Sequence, residues 1–198
     1  MHAASRLLQW RSALRKNGDL MIIKKIKSIR TGGQTGVDRA AMDIAREYGI
    51  PLCGWCPKNG WAEDYPSAPG LLKDYPELLE TSSEGTKQRT EWNMRDADAI
   101  LTIIPEESLP SPGTDTGLSK GESLGKPMLT VSQMDEIPHI IEWLGTLPDG
   151  IELCIGGPRA SECKTAYAFA RKMLSDVLLA LFSSENELHK NHVENRSG

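Results

Sequence analysis

This chain has few of the side chains that usually announce a chemistry. Among its 198 residues are four cysteines (Cys53, Cys56, Cys154, Cys163) and four scattered histidines (His2, His139, His189, His192). That cysteine content is too low for a disulfide framework in a chain of this length, so a reducing, cytoplasmic setting is expected. Cys53-Gly54-Trp55-Cys56 has CxxC spacing, but Pro57-Lys58-Asn59-Gly60 follows where a redox thiolate needs a helix N-terminus. No second CxxC completes a closed zinc site, and no protein metal ligands are expected. G-x-S-x-G, H-E-x-x-H and any Ser/His/Asp cluster are missing, which leaves no assigned catalytic residue. Basic charge is not in excess: 23 Lys and Arg face 27 Asp and Glu, a net charge of −4. That balance argues against a general nucleic-acid or membrane-surface binder. No run approaches transmembrane length and no secretory apolar core is present.

What is present is a patterned core. The length suits one domain with an appendage. Residues 1–20 read as a separate N-terminal extension: Leu7, Trp10 and Leu14 share a helical face among Arg6, Arg11, Arg15 and Lys16, and no acid precedes Asp19. Such a start fits a transit peptide or an upstream extension with Met21 as the natural start; the second reading is preferred. Residues 21–183 form the expected domain and 184–198 a polar tail, frayed or disordered.

From Met21 onward, strands and helices alternate. Strands are expected at 22–30, 51–55, 99–104, 128–131 and 151–155. Helices are expected at 36–48, 87–97 with Thr86 as cap, from the Pro110–Gly117 turn to Leu124, at 135–144 and at 162–182. Ala99-Ile100-Leu101-Thr102-Ile103-Ile104 is the clearest buried strand. Residues 57–85 are rich in Pro and Gly and read as a long functional loop with a short helix near Pro76–Glu80. The alternation predicts an α/β, Rossmann-like, doubly wound and mostly parallel sheet of about five strands with helices on both faces. In such sheets ligands bind beyond the carboxyl ends of the strands.

Several candidate site residues fall at those ends. Thr31-Gly32-Gly33-Gln34-Thr35-Gly36-Val37-Asp38 joins a strand to a helix whose apolar stripe runs through Ala40, Ala41, Ile44, Ala45 and Tyr48. A glycine turn at a helix N-terminus is an anion site, most often for phosphate, or else a tight turn with no ligand. Gly156-Gly157-Pro158-Arg159 repeats the arrangement and adds a guanidinium fork. Thr114, Asp115, Thr116 and Gly117 offer hydroxyls and a cap at a third helix start. Lys58, Glu63 and Asp64 lie in the long loop, while Arg89 and Asn93 share a helix face. Arg30, at a strand end, either faces solvent or points toward the ligand.

Assembled, these stretches resemble the molybdenum cofactor carrier family, part of a Rossmann-like superfamily with cytokinin-activating phosphoribohydrolases and DNA-processing proteins. The similarity is carried by Gly32-Gly33-Gln34-Thr35-Gly36-Val37-Asp38-Arg39-Ala40-Ala41, Gly54-Trp55-Cys56-Pro57-Lys58 with Ala62-Glu63-Asp64, and Arg89-Thr90-Glu91-Trp92-Asn93 with Arg95, Asp96 and Asp98. Gly113-Thr114, Gly125-Lys126-Pro127 and Gly157-Pro158-Arg159 complete it. The resemblance implies a homotetramer that binds molybdenum cofactor, a phosphate-bearing pterin whose own sulfurs hold the metal, with molybdoenzymes as recipients. It implies cofactor contacts from Gly32, Gly33, Gln34, Thr35, Gly36, Lys58, Arg89, Asn93, Thr114, Asp115, Thr116, Gly117, Gly157 and Arg159. The phosphoribohydrolase motif PGGxGTxxE is not matched: Pro112-Gly113-Thr114-Asp115-Thr116-Gly117 lacks its glycine pattern, and Glu122 lies too far along. The alternative guest is a nucleotide or nucleotide sugar, with Glu63, Asp64, Asp115 or Glu122 as candidate carboxylates.

Overall fold

The structure is a computed structural model describing residues 25–194, with side chains through Leu181. The expected N-terminal extension lies outside the described residues. Five strands make one parallel sheet: β1 (Ile26–Arg30), β2 (Leu52–Cys53), β5 (Ala99–Ile103), β6 (Met128–Val131) and β7 (Ile151–Gly156), in the order β2-β1-β7-β5-β6. Two short strands, β3 (Trp55–Cys56) and β4 (Leu79–Glu80), pair in a separate parallel ribbon. The helices are α1 (Val37–Tyr48), α2 (Thr86–Asp96), α3 (Pro112–Ser123), α4 (Ile137–Thr146) and α5 (Ala166–Glu194). The fold is the expected Rossmann-like α/β sheet.

Strand parity separates the two faces of the sheet. Leu101, Ile103, Leu153 and Ile155 bury into one cluster with the α1 stripe, with Ile140 and Leu144 of α4, and with Ala170, Met173, Leu174, Val177 and Leu178 of α5. Ile100 and Cys154, one residue out of phase, pack the other way against Met94, Ala97 and Met128, under α2. Alanines at 40, 41 and 45 let α1 approach closely, and α1 packs on both α5 and β7.

The last strand is the central one. Counting from β7 as the first strand, the order reads 3-2-1-4-5, five of the six strands of the dinucleotide-binding order 3-2-1-4-5-6. The chain therefore follows a familiar sheet from a different starting point.

Several local expectations need correcting. The second strand breaks at Gly54, whose φ of 142° sends Leu52–Cys53 to the main sheet and Trp55–Cys56 to the ribbon. A Cβ there would lie 2.0 Å from the Thr31 carbonyl oxygen. No helix forms at Pro76–Glu80; residues 79–80 are β4, and a 3-10 turn occupies Gly70–Lys73. Gly85, not Thr86, is the N-cap of α2. Helix α3 begins at Pro112, earlier than Thr114, because the Ser111 side chain caps it by accepting the Thr114 N–H at 3.3 Å. Helix α5 starts at Ala166 and runs on to Glu194, so the expected polar tail is helical backbone as far as it is described.

Residues 57–85 are pinned onto α1. Leu71, Tyr75 and Leu78 join Met42, Cys56 and Ala62 in a small core. Outside it, Arg39 pairs with Asp64 at 2.8 Å, Arg46 with Glu77 at 2.7 Å, and the Tyr75 hydroxyl donates to Asp43 at 2.8 Å. Arg30 has neither expected fate: it pairs with Glu152 of the neighbouring strand at 2.8 Å and lies 3.9 Å from Asp96.

Candidate functional site

A cavity of about 150 Å³ lies at the carboxyl edge of the sheet, where β7 and β5 part to opposite sides. That is the switch point of the 3-2-1-4-5 order, the expected place for a ligand. Gly156 and Gly157 end β7 at its floor, Thr102 comes from β5, and Gln34 and Asp38 come from the loop and helix after β1. Arg89, Thr90 and Met94 descend from α2, with Ser111, Thr114 and Gly117 from the start of α3. A second, shallower space of about 520 Å³ adjoins it, lined by Lys58, Asn59, Trp61, Pro66, Ala68 and Glu84. Thr86 and Arg159 line both.

The glycines of the first loop are occupied by the protein itself. A Cβ on Gly32 would come 1.8 Å from Arg89 Nη1, so Gly32 makes room for that guanidinium. Gly36 has a φ of 74°, and a Cβ there would lie 2.3 Å from the Pro158 carbonyl oxygen, which also accepts the Val37 N–H at 3.3 Å. The positive end of α1 already meets a carboxylate. Asp38, 3% exposed, accepts the Gln34 N–H at 3.2 Å and Arg89 Nη1 at 3.2 Å, both on Oδ2. Burial pushes the Asp38 carboxyl above its usual range despite the opposing pull of Arg89 and the Gln34 N–H.

The second loop also carries a resident acid. Glu63 accepts from the Thr35 hydroxyl, from the Ser161 N–H at 3.2 Å and from the Ser161 hydroxyl at 2.7 Å, with Arg159 Nε 3.9 Å away. Burial alone would raise the Glu63 carboxyl, but these hydrogen bonds and Arg159 hold it below the usual range. Glu63 is thus a fixed acceptor rather than a proton donor. Arg159 is itself held by Glu162 at 3.1 Å through Nε. Gly157 permits the tight passage of this loop: a Cβ there would lie 2.2 Å from the Ile103 carbonyl oxygen.

Of the residues singled out from sequence, the structure brings Gln34, Lys58, Arg89, Thr114, Gly117, Gly157 and Arg159 to the two connected spaces. Gly32, Gly33, Thr35 and Gly36 shape the wall behind them. Asn93, 1% exposed, faces elsewhere: its amide accepts the Trp55 N–H at 2.8 Å and donates to the Trp55 carbonyl at 2.9 Å, joining α2 to the ribbon. Asp115 and Thr116 line a groove on the outer side of α2 and α3 with Lys87 and Lys120. Sequence reasoning carried Asp38 only as the end of the glycine stretch, without a role of its own, and passed over Ser111 and Glu162. Asp38 was detectable in principle, since it falls three and seven residues before Ala41 and Ala45 on a buried stripe. A charge in register with a buried stripe marks a satisfied carboxylate.

The pair Cys53 and Cys56 is split between two sheets, and burial pushes the Cys56 thiol up to about 11. Among the described residues, no group of three His, Cys, Asp or Glu side chains could hold a metal ion, and no helix is long and apolar enough to cross a membrane.

Comparison with known proteins agrees with this topology. A comparison with curated proteins returns no match. A solved structure named "Putative molybdenum carrier protein", from Syntrophus aciditrophicus SB, is similar at 31% identity and a TM-score of 0.68, covering 79% of this chain and 96% of that one. The family model described as circularly permutated YpsA SLOG matches residues 29–178. A central strand that comes last in sequence is what a circular permutation of this sheet produces. The chain belongs to the circularly permutated YpsA SLOG family.

Proposed function

We propose that this protein is a non-catalytic cytoplasmic carrier that binds molybdenum cofactor as its cargo at the switch-point cleft. The observation that carries the reading is Arg159, which lines both connected spaces beside the Gly156–Gly157 turn. A guanidinium next to a close backbone approach suits a phosphate, which gains from paired N–H donors in a fixed fork. Lys58 and Arg89 add positive charge on either side, and Gln34, Thr114 and Gly117 complete the wall. The cargo brings its metal on its own sulfurs, so the reading asks no metal ligand of this chain. The name of the Syntrophus aciditrophicus structure points the same way. A homotetramer that passes cofactor to molybdoenzymes belongs to the same proposal.

The test is to purify the protein from cells that make the cofactor, then measure pterin fluorescence after release, molybdenum content and native mass. Pterin and molybdenum near one per chain are expected. Absence of both, with no protection of added cofactor against oxidation, would overturn the reading.

A second reading is supported by the 3-2-1-4-5 order itself, which is shared with nucleotide-binding sheets. If the protein were instead a hydrolase of nucleotides, its acid would be sought in the cleft. There the lining carboxylates are Asp38 and Glu162. Asp115 and Glu122 are exposed on α3, and Glu63 is held ionised by its donors. Release of free base from nucleoside monophosphates, lost in Asp38→Asn or Glu162→Gln, would favour that reading.

A further inference from the structure

The floor of the cavity sets an acceptor, which the phosphate-binding role does not use, beside the Arg89 guanidinium. Asp38 lies at this floor with only 3% exposure. Its Oδ2 takes the Gln34 N–H and Arg89 Nη1, both at 3.2 Å. Its Oδ1 lies against Gly156, where an added Cβ would come within 3.6 Å. Gly156 lines the same cavity, and having no side chain it puts none between that oxygen and the cavity. Beside it, Arg89 has a buried Nε–H with no hydrogen-bond partner. The Thr31 hydroxyl lies close to the same carboxylate and makes no hydrogen bond of ordinary geometry. A carboxylate accepts hydrogen bonds and a guanidinium donates them, without exchange of roles. Side by side, they match a flat edge that offers donors followed by an acceptor.

The geometry points to Asp38 and Arg89 as the reader of a 2-amino-4-oxopyrimidine edge, Asp38 accepting through Oδ1 from the exocyclic amino group and ring N–H, and Arg89 donating to the carbonyl. Pterins carry that edge and so does guanine. The assignment rests on the pterin-carrier reading and adds to it the end of the ligand opposite the phosphate. It also gives Gly32 a part in specificity, because only a residue without a side chain leaves the Arg89 guanidinium its seat. A site built around a buried acceptor discriminates strongly against a ligand that lacks the donor, since the acceptor is then left unpaired.

The experiment is a set of fluorescence or calorimetric titrations on the intact protein. The probes are 6-hydroxymethylpterin, its lumazine counterpart with a 2-oxo group, and the nucleotide pair GMP and IMP, which differ only in the 2-amino group. We expect the pterin to bind roughly 10- to 100-fold tighter than the lumazine, the range for a hydrogen bond to a buried charge. Asp38→Asn is expected to erase that preference, with thermal unfolding as the check that it remains folded. Should that variant not fold, the analogue pairs on the unaltered protein decide the matter. Equal affinity for pterin and lumazine overturns the edge assignment while leaving a carrier with copurified cofactor standing. A GMP-over-IMP preference with no pterin binding keeps the edge assignment and overturns the carrier reading. Failure of all four probes overturns the edge assignment.

Discussion

Glu63 shows how much a single residue's partners decide. In the sequence it is one acid in a polar loop; in the fold its carboxylate ties residues 57–85 to both glycine turns through Thr35, Ser161 and Arg159. Its carboxyl is held below the usual range, so the stability it contributes is fully present above the unfolded value of about 4.3 and lost as pH falls through the lower folded value. Glu63→Gln should therefore cost about 1 kcal/mol at neutral pH, kept small by solvent screening. Melting temperatures of the two proteins from pH 7 to pH 3 should converge in acid; a gap constant across that range would rule out the ionic account. Cys56 makes a second case at this scale. A thiol pushed up to about 11 is protonated at neutral pH, so mass spectrometry should find it unmodified by iodoacetamide at pH 7.5 in the folded protein and alkylated after denaturation.

At the scale of elements, glycines divide into those that shape the site and those that only weaken a helix. A Cβ on Gly157 would lie 2.2 Å from the Ile103 carbonyl oxygen, a backbone atom that cannot swing aside. Gly157→Ala should lower stability by about 1–3 kcal/mol, read from chemical denaturation. Gly145, near the end of α4, is exposed with nothing within 4 Å of an added Cβ. Gly145→Ala should raise stability by about 0.5–1 kcal/mol in the same assay. The strands differ in legibility for a related reason. Ala99–Ile103 is buried at every position and declares itself as an apolar run broken only by Thr102. β4 owes its existence to pairing with Trp55 and Cys56 across more than twenty residues, and both its residues are exposed, so no local pattern marks it. Asn93 looked like a ligand residue because it shares a helix face with Arg89, yet the ribbon edge at Trp55 claims its amide.

At the scale of the whole molecule, the permuted order carries its own prediction. If the sheet is the determinant, the chain can be restarted without losing it. A circular permutant that places residues 149–194 ahead of residues 25–148, joined by a flexible glycine–serine linker, should fold cooperatively with near-native circular dichroism, because the new break falls in the exposed turn before β7. An unfolded permutant would mean that the β6–α4–β7 connection is needed for more than continuity. The sequence by itself determined the alternation of strands and helices, the apolar stripe of α1 and the turns that end β1 and β7, because each depends on neighbours within a few residues. It also placed Gly157 and Arg159 among the candidates, since they form a glycine turn with a guanidinium at a strand end, and Arg89 through its helix face. Only the tertiary structure decided that β7 is central, that Gly32 and Gly36 make room for Arg89 and Pro158, and that Asp38 lies at the floor of the cleft. Those facts arise from contacts between segments far apart in the chain, which hydrophobic periodicity cannot encode.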